Sequence, residues 1–251
     1  MHTVLITGSS TGFGREIAMR FLSEGWTVIA TMRDPSANTI PASDKLRVLP
    51  LDVTDAASIE AAVAQAGAVD VLVNNAGIGW LNAVEGTPLD VARRIFETNT
   101  LGTIRAMQAV LPGMRERRSG VIVNVSSSTT LAPMALLSVY AASKAAVNML
   151  TQSAALELAE FGIRARVVLP GAAPSTSFGN SARALIGAHG GFPDAYGAFV
   201  GQTMEAMQRH ASGPVTTPED VAEAVFRAAT GPDCPMMLPA GADALALAQG
   251  R

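Results

Sequence analysis

Short apolar runs alternate along the chain with longer stretches of helical period. The apolar runs are nearly continuous, which is typical of strands that are covered on both faces. Strands that alternate with amphipathic helices predict a parallel sheet with helical crossover connections. The pattern predicts seven strands, at residues 3–7, 27–31, 46–51, 69–73, 121–125, 166–169 and 236–238.

Five stretches of helical period lie between these strands, at residues 12–23, 55–65, 89–117, 139–160 and 218–229. The third is unusually long, and we expect it to be broken near Thr98 and Asn99. Threonine hydroxyls can cap a helix, and proline fits the first helical turn because its missing N–H is not needed there. The residues placed to start helices in this way are Thr54, Thr87, Thr217, Pro88 and Pro218.

The composition agrees with one large α/β domain that spans residues 1–251. Hydrophobic residues make up 49% of the chain and charged residues 16%, enough to build a large core. Residues 172–213 stand apart because they are rich in Gly, Pro and Ser. A long irregular segment inside a compact domain is usually a lid or a binding loop. We therefore expect residues 172–213 to be an irregular loop region that covers a substrate.

Charge and cysteine content exclude several classes of partner. Eighteen basic and 21 acidic residues give a net charge of −3, which argues against nucleic acid and anionic membranes. No apolar run is long enough for a membrane span, and the apolar start is too short for a signal peptide. Cys234 is the single cysteine, so we expect a cytoplasmic protein without disulfides. The three histidines are too scattered for usual zinc spacing, and no metal site is predicted.

The first predicted strand runs directly into a glycine-rich turn and then into a helix. Glycines let the backbone approach a pyrophosphate, whose charge is stabilised by the positive end of the helix dipole. The spacing is T-G-x-x-x-G-x-G rather than the common dinucleotide pattern G-x-G-x-x-G. The residues predicted to hold the pyrophosphate are Gly8, Ser9, Ser10, Thr11, Gly12, Phe13 and Gly14.

With this glycine spacing the chain resembles the short-chain dehydrogenase/reductase family, and further motifs follow in the family's order from Thr3 to Thr176. They read Leu51-Asp52-Val53, Val73-Asn74-Asn75-Ala76-Gly77, Asn99, Val125-Ser126-Ser127, Tyr140-Ala141-Ala142-Ser143-Lys144 and Pro170-Gly171. Each motif is weak alone, whereas their ordered occurrence is specific. The resemblance implies a Rossmann-type, doubly wound, mostly parallel seven-stranded sheet flanked by helices.

The resemblance also implies where a nicotinamide cofactor would lie. It places the adenine near Asp52 and Val53, and the adenosine side near Asn75, with Ala76 and Gly77 following in the same motif. It places the nicotinamide amide near Ala173 to Thr176, just after Pro170 and Gly171. Two alternatives remain open from the residues alone: Asp52 can be a helix N-terminal carboxylate, and Asn75 can be an amide that stabilises a turn or the sheet.

The end of the second strand bears on the choice between NADP and NAD. Where many relatives carry an acid that binds the ribose hydroxyls, this chain has Met32, followed by Arg33, whose guanidinium can pair with a 2′-phosphate. NADP is therefore favoured, and NAD remains possible. Against NADP, Thr11 replaces a basic residue that many NADP-using relatives carry, and Asp34 can neutralise Arg33.

Hydride transfer to a carbonyl needs a group that exchanges a proton with the oxygen and a group that polarises it. Tyr140 and Lys144 are four residues apart on a predicted helix and therefore share a face. We expect the Lys144 ammonium to lower the pKa of the Tyr140 phenol and to bind the ribose. By the resemblance, Ser127, rather than Ser126 or Ser128, polarises the substrate oxygen, and Asn99 holds a water in a proton relay.

The predicted reaction is hydride transfer between a nicotinamide and a carbonyl or secondary alcohol of a hydrophobic small molecule. Two other functions stay open: a catalytically idle protein that senses NADP, and a nucleotide-sugar epimerase or dehydratase. The resemblance also implies a homodimer or homotetramer, formed through the long helices after strands four and five. The apolar residues that could wall the substrate site are Leu131, Met134, Leu136, Leu137, Phe178, Ile186, Phe192, Tyr196, Phe199, Met204 and Met207.

Overall fold

A computed structural model of the chain describes residues 2–176, 178–211 and 213–250. Its centre is a parallel sheet of seven strands in the order β3-β2-β1-β4-β5-β6-β7, which confirms the predicted Rossmann-type fold. The strands are β1 (Thr3–Thr7), β2 (Thr27–Met32), β3 (Leu46–Pro50), β4 (Val71–Asn74), β5 (Gly120–Val125), β6 (Ile163–Pro170) and β7 (Met237–Ala240).

Helices follow the strands and cover both faces of the sheet. Their bounds are α1 (Gly12–Ser23), α2 (Ala56–Ala66), α3 (Leu89–Phe96), α4 (Gly102–Arg117), α5 (Ser138–Ala159), α6 (Phe178–Ala188), α7 (Gly197–Ala211), α8 (Pro218–Thr230) and α9 (Ala242–Ala248). Because successive strand side chains point to opposite faces, Ile6 packs in the core beneath α1 and α8, and Leu5 packs in the core beneath α4 and α5.

The topology fixes the place of the functional site. β1 lies between β2 and β4, so the chain leaves β1 towards one edge of the sheet and later returns to its other side. In open parallel sheets, ligands bind beyond the carboxyl ends of the strands at this switch point. The loops after β1, β4, β5 and β6 all reach this edge.

All seven predicted strands are present, and the largest difference is at β6. It begins at Ile163 rather than at residue 166, because Arg164 and Arg166 interrupt the apolar pattern on a strand that is otherwise buried. The Arg164 guanidinium donates to the carbonyls of Ala229 and Gly231, and that of Arg166 donates to the carbonyl of Cys234. These bonds let two charged residues lie within the sheet.

The predicted break in the third helical stretch is a π-helical turn at Glu97–Leu101, between α3 and α4. Two predicted helix starts are wrong. Asp55 rather than Thr54 caps α2, where its side chain accepts from the amide of Ala57. Pro88 is the N-cap of α3 rather than a residue of its first turn, and the Thr87 hydroxyl does not cap the helix but donates to the carbonyl of Ala83.

Thr217 and Pro218 start α8 as predicted. The Thr217 hydroxyl accepts from the amide of Asp220, and the Asp220 carboxylate accepts from the amide of Thr217, so the two residues form a reciprocal capping box. This well-defined start keeps α8 packed along α1 on one face of the sheet.

The prediction that residues 172–213 are irregular is wrong. Helices α6 and α7 occupy most of the segment, and Ser177 and Ser212 lie outside the described residues. Glycine and serine suggested a loop because they are poor helix formers. The glycines within α6 and α7 have open space around them. Ile186 anchors α6 by packing with Trp80 in a small core cluster. For α6, tertiary packing therefore outweighs the low helix propensity of its glycines.

No helix within the described ranges combines the length and the apolar character that crossing a bilayer requires. Nowhere in the described part of the chain do three His, Cys, Asp or Glu side chains gather as a metal ion requires.

Candidate active site

A cleft of about 2470 Å³ opens at the carboxyl ends of the strands. It runs from Arg33 and Asp52, past the glycine loop, to Tyr140 and the turn after β6. Of the residues predicted to bind a cofactor, those that line it are Gly8, Ser10, Thr11, Gly12, Phe13, Arg33, Asp52, Val53, Asn75, Ala76, Gly77, Tyr140, Lys144, Pro170, Gly171, Ala173 and Thr176. One cleft therefore brings together motifs that are far apart in the sequence.

Ser9 and Gly14 lie behind the wall of the cleft and support it. The buried Ser9 hydroxyl donates to the carbonyl of Ile6 at 3.1 Å. A Cβ atom on Gly14 would overlap the carbonyl of Gly8 and would come within 2.6 Å of Nδ2 of Asn75. Gly14 is thus required for the close packing of α1 against the glycine loop.

The glycine loop can accommodate a phosphate group. Gly8 and Gly12 have φ values of 70° and 56°, in the left-handed region that favours glycine. The first turn of α1 faces the cleft and contains no acidic residue. The backbone at this helix N-terminus is therefore suited to a pyrophosphate anion.

Asn75 binds the glycine loop from the end of β4. Its Nδ2 donates to the carbonyls of Thr7 and Gly8, at 3.0 Å each. The Thr7 hydroxyl in turn accepts from the amides of Asn75 and Ala76, also at 3.0 Å. These bonds give the Asn75 side chain a structural role, as one of the two open alternatives supposed, although Asn75 also lines the cleft.

Arg33 and Asp52 mark the far end of the cleft. Oδ1 of Asp52 accepts from the amide and the hydroxyl of Thr54, and the backbone bond is the main reason why the pKa of Asp52 is lowered. The positive charge of Arg33 lowers that pKa further. The Asp34 carboxylate accepts from the amide and the hydroxyl of Ser36, so it is engaged there rather than directed at the cleft.

The turn after β6 is held by a residue that the sequence did not single out. Asp243, on α9, is buried, and its Oδ2 accepts from the amide of Ala172 at 2.6 Å. Its Oδ1 is bonded to the Thr216 hydroxyl at 2.6 Å, and a Cβ atom on Gly171 would overlap the carboxylate. Asp243 looks in the sequence like an ordinary acid at a helix start, and only the fold brings it 71 residues back to this turn.

Tyr140, Lys144 and Ser127 meet in the middle of the cleft. The Ser127 hydroxyl interacts with the buried Tyr140 phenol and lowers its pKa in part, and it accepts from the amide and the hydroxyl of Thr129. Nζ of Lys144 donates to the carbonyl of Val125 at 2.9 Å. Ser126 is directed away, since its hydroxyl donates to the carbonyl of Lys144.

Asn99 lies in the π-helical turn, next to this group but behind the cleft wall. Its Oδ1 accepts from the amide of Ile78 at 2.8 Å, and its Nδ2 donates to the Ile78 carbonyl and to the Ser143 hydroxyl. A Cβ atom on Gly77 would lie 3.2 Å from Oδ1 of Asn99 and 3.4 Å from Nζ of Lys144. Asn99 and Lys144 therefore flank Gly77, and the side-chain amide of Asn99 fixes the loop that follows β4.

The structure reverses one electrostatic expectation. Burial raises the pKa of Tyr140 to about 12, although the interaction with Ser127 lowers it in part. Burial lowers the pKa of Lys144 to about 8. The predicted lowering of the phenol pKa by Lys144 is therefore wrong for this structure, because desolvation disfavours the charged form of both side chains.

We expect Tyr140 to stay protonated at about pH 10.5, where an exposed tyrosine is mostly ionised. Because its pKa is raised from 10.0 to about 12, its contribution to stability is present below pH 10 and is lost as the pH rises through 12. Phenolate absorbance of a Tyr196→Phe variant checks this, because Tyr140 is then the one tyrosine left of two. The urea-unfolded variant is the control, and equal phenolate signals in the two states would contradict the prediction.

Lys144 has the opposite effect on stability. The ammonium is costly to bury below pH 8, and this cost is relieved as the pH rises from about 8 towards the ordinary value of 10.5. The two pKa shifts therefore act in successive pH windows.

Apolar side chains form part of the cleft wall, and one of them, Phe178, lies against Tyr140. Of the predicted wall residues, Leu131, Leu136 and Tyr196 lie elsewhere, and the Tyr196 hydroxyl donates to the Glu85 carboxylate. The ring of Phe178 lies 5.7 Å from that of Tyr140, centre to centre. The predicted wall residues that do line the cleft are Met134, Leu137, Phe178, Ile186, Phe192, Phe199, Met204 and Met207.

Comparisons with known proteins agree with this geometry. A family model for short chain dehydrogenases matches residues 2–184. Retinol dehydrogenase 8 of Bos taurus is 35% identical over 240 residues, which cover 90% of this chain and 77% of the relative.

Three solved structures extend the likeness to the whole chain. A short-chain dehydrogenase from Streptomyces avermitilis is 34% identical with a TM-score of 0.84 and covers 99% of this chain and 91% of its own. A serine dehydrogenase in complex with NADP+ is 30% identical with a TM-score of 0.80, and the match covers 96% of this chain and 95% of that structure. A 3-ketoacyl-(acyl-carrier-protein) reductase from Brucella melitensis in complex with NADH is 27% identical with a TM-score of 0.78, and the match covers 95% of this chain and 96% of that structure.

Proposed function

The chain belongs to the short-chain dehydrogenase family, and from that premise we propose that it is an NADP-dependent oxidoreductase acting on a hydrophobic carbonyl compound or secondary alcohol. Oxidoreductase chemistry on alcohol or carbonyl groups follows from the family. NADP preference, the apolar substrate and the residue roles are our proposal. The single observation that carries it is the meeting of Tyr140, Ser127 and Lys144 in one cleft with the glycine loop.

In the proposed mechanism each side chain has a separate task. The nicotinamide, when bound, supplies or accepts the hydride. Tyr140 donates its phenolic proton to the substrate oxygen during reduction and accepts a proton during oxidation. Ser127 donates a hydrogen bond to the same oxygen and stabilises the negative charge that develops there. Lys144 binds the ribose hydroxyls of the cofactor through Nζ, which the carbonyl of Val125 holds in place.

In this proposal Asn99 acts indirectly, as a positioning residue. Its side chain holds the amide and the carbonyl of Ile78 and the hydroxyl of Ser143, and through them it keeps the loop after β4 beside Lys144. The relay water expected from the resemblance stays a prediction. Asp243 has a comparable task at the turn after β6, where it fixes the amide of Ala172 beside the proposed nicotinamide position.

We expect Arg33→Ala to raise the KM for NADPH about tenfold or more and to leave the KM for NADH nearly unchanged. A guanidinium paired with a phosphate contributes a charge-assisted, bidentate bond, and about 1.4 kcal/mol corresponds to a factor of ten. Arg33 lines the cleft beside Asp52, where a 2′-phosphate of the bound cofactor would lie. Steady-state kinetics with both cofactors measure the effect.

Asp34→Ala is the matched control for Arg33→Ala. The Asp34 carboxylate is bonded to Ser36, so we expect its removal to change the ratio of the two KM values little. A native enzyme that prefers NADH, or an Arg33→Ala variant with unchanged KM for NADPH, would refute the NADP preference.

The apolar walls favour a hydrophobic substrate. The names of three of the comparison proteins point in different directions, to retinol, to serine and to a 3-ketoacyl-(acyl-carrier-protein), so the proposal rests on the cleft itself. Phenylalanine, methionine and leucine side chains form part of its wall, and the Phe178 ring lies against Tyr140. Apolar walls of this kind suit a largely apolar ligand. We also propose that residues 172–213 cover this ligand.

The deciding experiment follows oxidation of NADPH by absorbance across a panel of ketones and aldehydes, with secondary alcohols and NADP+ for the reverse reaction. Turnover of apolar compounds supports the proposal. Binding of NADPH without turnover of any compound would favour the idle sensor, and release of a modified nucleotide sugar would favour the epimerase or dehydratase.

The proposed assembly is a homodimer or homotetramer formed through α4 and α5. Exposed apolar side chains in this region include Leu101, Met149 and Leu156, with Leu156 79% exposed. Sedimentation analysis tests the assembly. The cytoplasmic location stays a prediction based on the cysteine content.

A further inference from the structure

We propose that Phe178 and Gly79 act as a pair that sets the width of the substrate passage above Tyr140 and so selects carbonyl compounds by the bulk around the reacting carbon. The inference rests on the proposed function, because it concerns access to the same tyrosine. It assigns the selection to one side chain of α6 and to one glycine in the loop after β4.

Phe178 covers Tyr140 directly. The two rings are 5.7 Å apart with an interplanar angle of 60°, which is an edge-to-face contact. Phe178 is the first residue of α6 and lines the cleft, and it remains 40% exposed. The Phe178 ring therefore lies between solvent and the proposed proton donor, Tyr140.

Gly79 provides the space for this ring. A Cβ atom on Gly79 would lie 2.6 Å from Cε1 and 2.7 Å from Cζ of Phe178. The backbone of Gly79 does not lie in the left-handed region, so its conformation alone does not require glycine. The absence of a side chain therefore serves the fit of the Phe178 ring, which is seated between the Gly79 backbone and Tyr140.

The helix that carries Phe178 is fixed at its other end. Nδ2 of Asn82 donates to the carbonyl of Gly191 at 2.9 Å, and Ile186 is buried beside Trp80. The ring of His189 packs edge-on against Trp80 at 6.0 Å. Because these contacts fix α6 relative to the loop after β4, the width of the passage depends on the Phe178 side chain rather than on movement of the helix.

A slim carbonyl compound can reach Tyr140 beside the ring, whereas a compound with two bulky substituents must displace it. Phe178→Ala should therefore raise kcat/KM for benzophenone relative to acetophenone by about tenfold, the order of effect that a pocket contact has on selectivity. Gly79→Ala should lower the same ratio, because the new methyl group pushes the ring into the passage. Phe199→Ala, which removes a ring of equal size elsewhere in the cleft, should change the ratio less.

The double variant Gly79→Ala/Phe178→Ala tests whether the two residues act as a pair. Without the ring, the added methyl group meets Ala182 at 3.3 Å instead, so the effect of Gly79→Ala on the ratio should largely disappear. An effect of Gly79→Ala that is equally large with and without Phe178 would overturn the pairing.

A second measurement is independent of any substrate. In the Tyr196→Phe background, Phe178→Ala should let the Tyr140 phenolate form at lower pH, because removing the ring exposes the phenol to water. An unchanged phenolate titration, or an unchanged ketone ratio in an active Phe178→Ala enzyme, would overturn the proposal. Near-normal turnover by Tyr140→Phe would instead refute the proposed function and leave the phenolate measurement to decide the contact.

Discussion

Replacing Tyr140 with phenylalanine is expected to lower kcat about 1000-fold while the enzyme stays folded and still binds NADPH. Proton transfer by a positioned side chain contributes about 10² to 10⁴ to the rate, and the substitution removes the one atom that exchanges the proton. The ring itself stays, so its packing against Phe178 is kept. The phenol oxygen also interacts with Ser127, so we expect its removal to cost at most about 1 kcal/mol of stability.

Tyr196→Phe is the matched control, since Tyr196 is the second of the chain's two tyrosines. Its hydroxyl is bonded to Glu85 away from the cleft, and we expect kcat to change less than twofold. Single-turnover reduction and NADPH titration separate the loss of chemistry from a loss of binding. A Tyr140→Phe enzyme with native kcat would show that another group exchanges the proton.

Sequence patterns predicted the parts of the site that are local in the chain. The glycine loop follows β1 directly, so its place at the end of that strand could be predicted from spacing alone. The same holds for the shared helical face of Tyr140 and Lys144. The strands were found for a similar reason, because burial on both faces leaves a continuous apolar run. Arg164 hid the start of β6, since the carbonyls of Ala229 and Gly231 that satisfy it lie far along the chain.

The features that the sequence did not predict depend on contacts between distant segments. Asp243 reaches the turn after β6 from α9, and Phe178 meets Gly79 across a separation that no local pattern records. Helices α6 and α7 form although glycines interrupt their sequences, and α6 is anchored by packing against Trp80. The pKa of Tyr140 belongs to the same class, because it depends on how completely the fold removes water from the phenol.

Gly14→Ala is expected to destabilise the protein by about 2 kcal/mol and to weaken NADPH binding at least about tenfold, against its intrinsic helix propensity. Alanine in place of glycine within a helix usually stabilises it by about 1 kcal/mol. Here the new Cβ atom would overlap the carbonyl of Gly8 and would lie 2.6 Å from Nδ2 of Asn75. Both belong to the backbone and side-chain contacts that shape the glycine loop, so neither can move without changing the proposed phosphate site.

Gly113→Ala separates the steric effect from helix propensity. Gly113 is also a helical glycine, on α4, but its added Cβ atom would meet the guanidinium of Arg117 at 3.2 Å, and this flexible end of a side chain can move away. We expect Gly113→Ala to be neutral or up to about 1 kcal/mol more stable, with native affinity for NADPH. Urea unfolding and NADPH titration of both variants measure the difference. If Gly14→Ala gained stability as Gly113→Ala does, α1 would not pack on the glycine loop as closely as the structure places it, and the phosphate site would lose its rigid support.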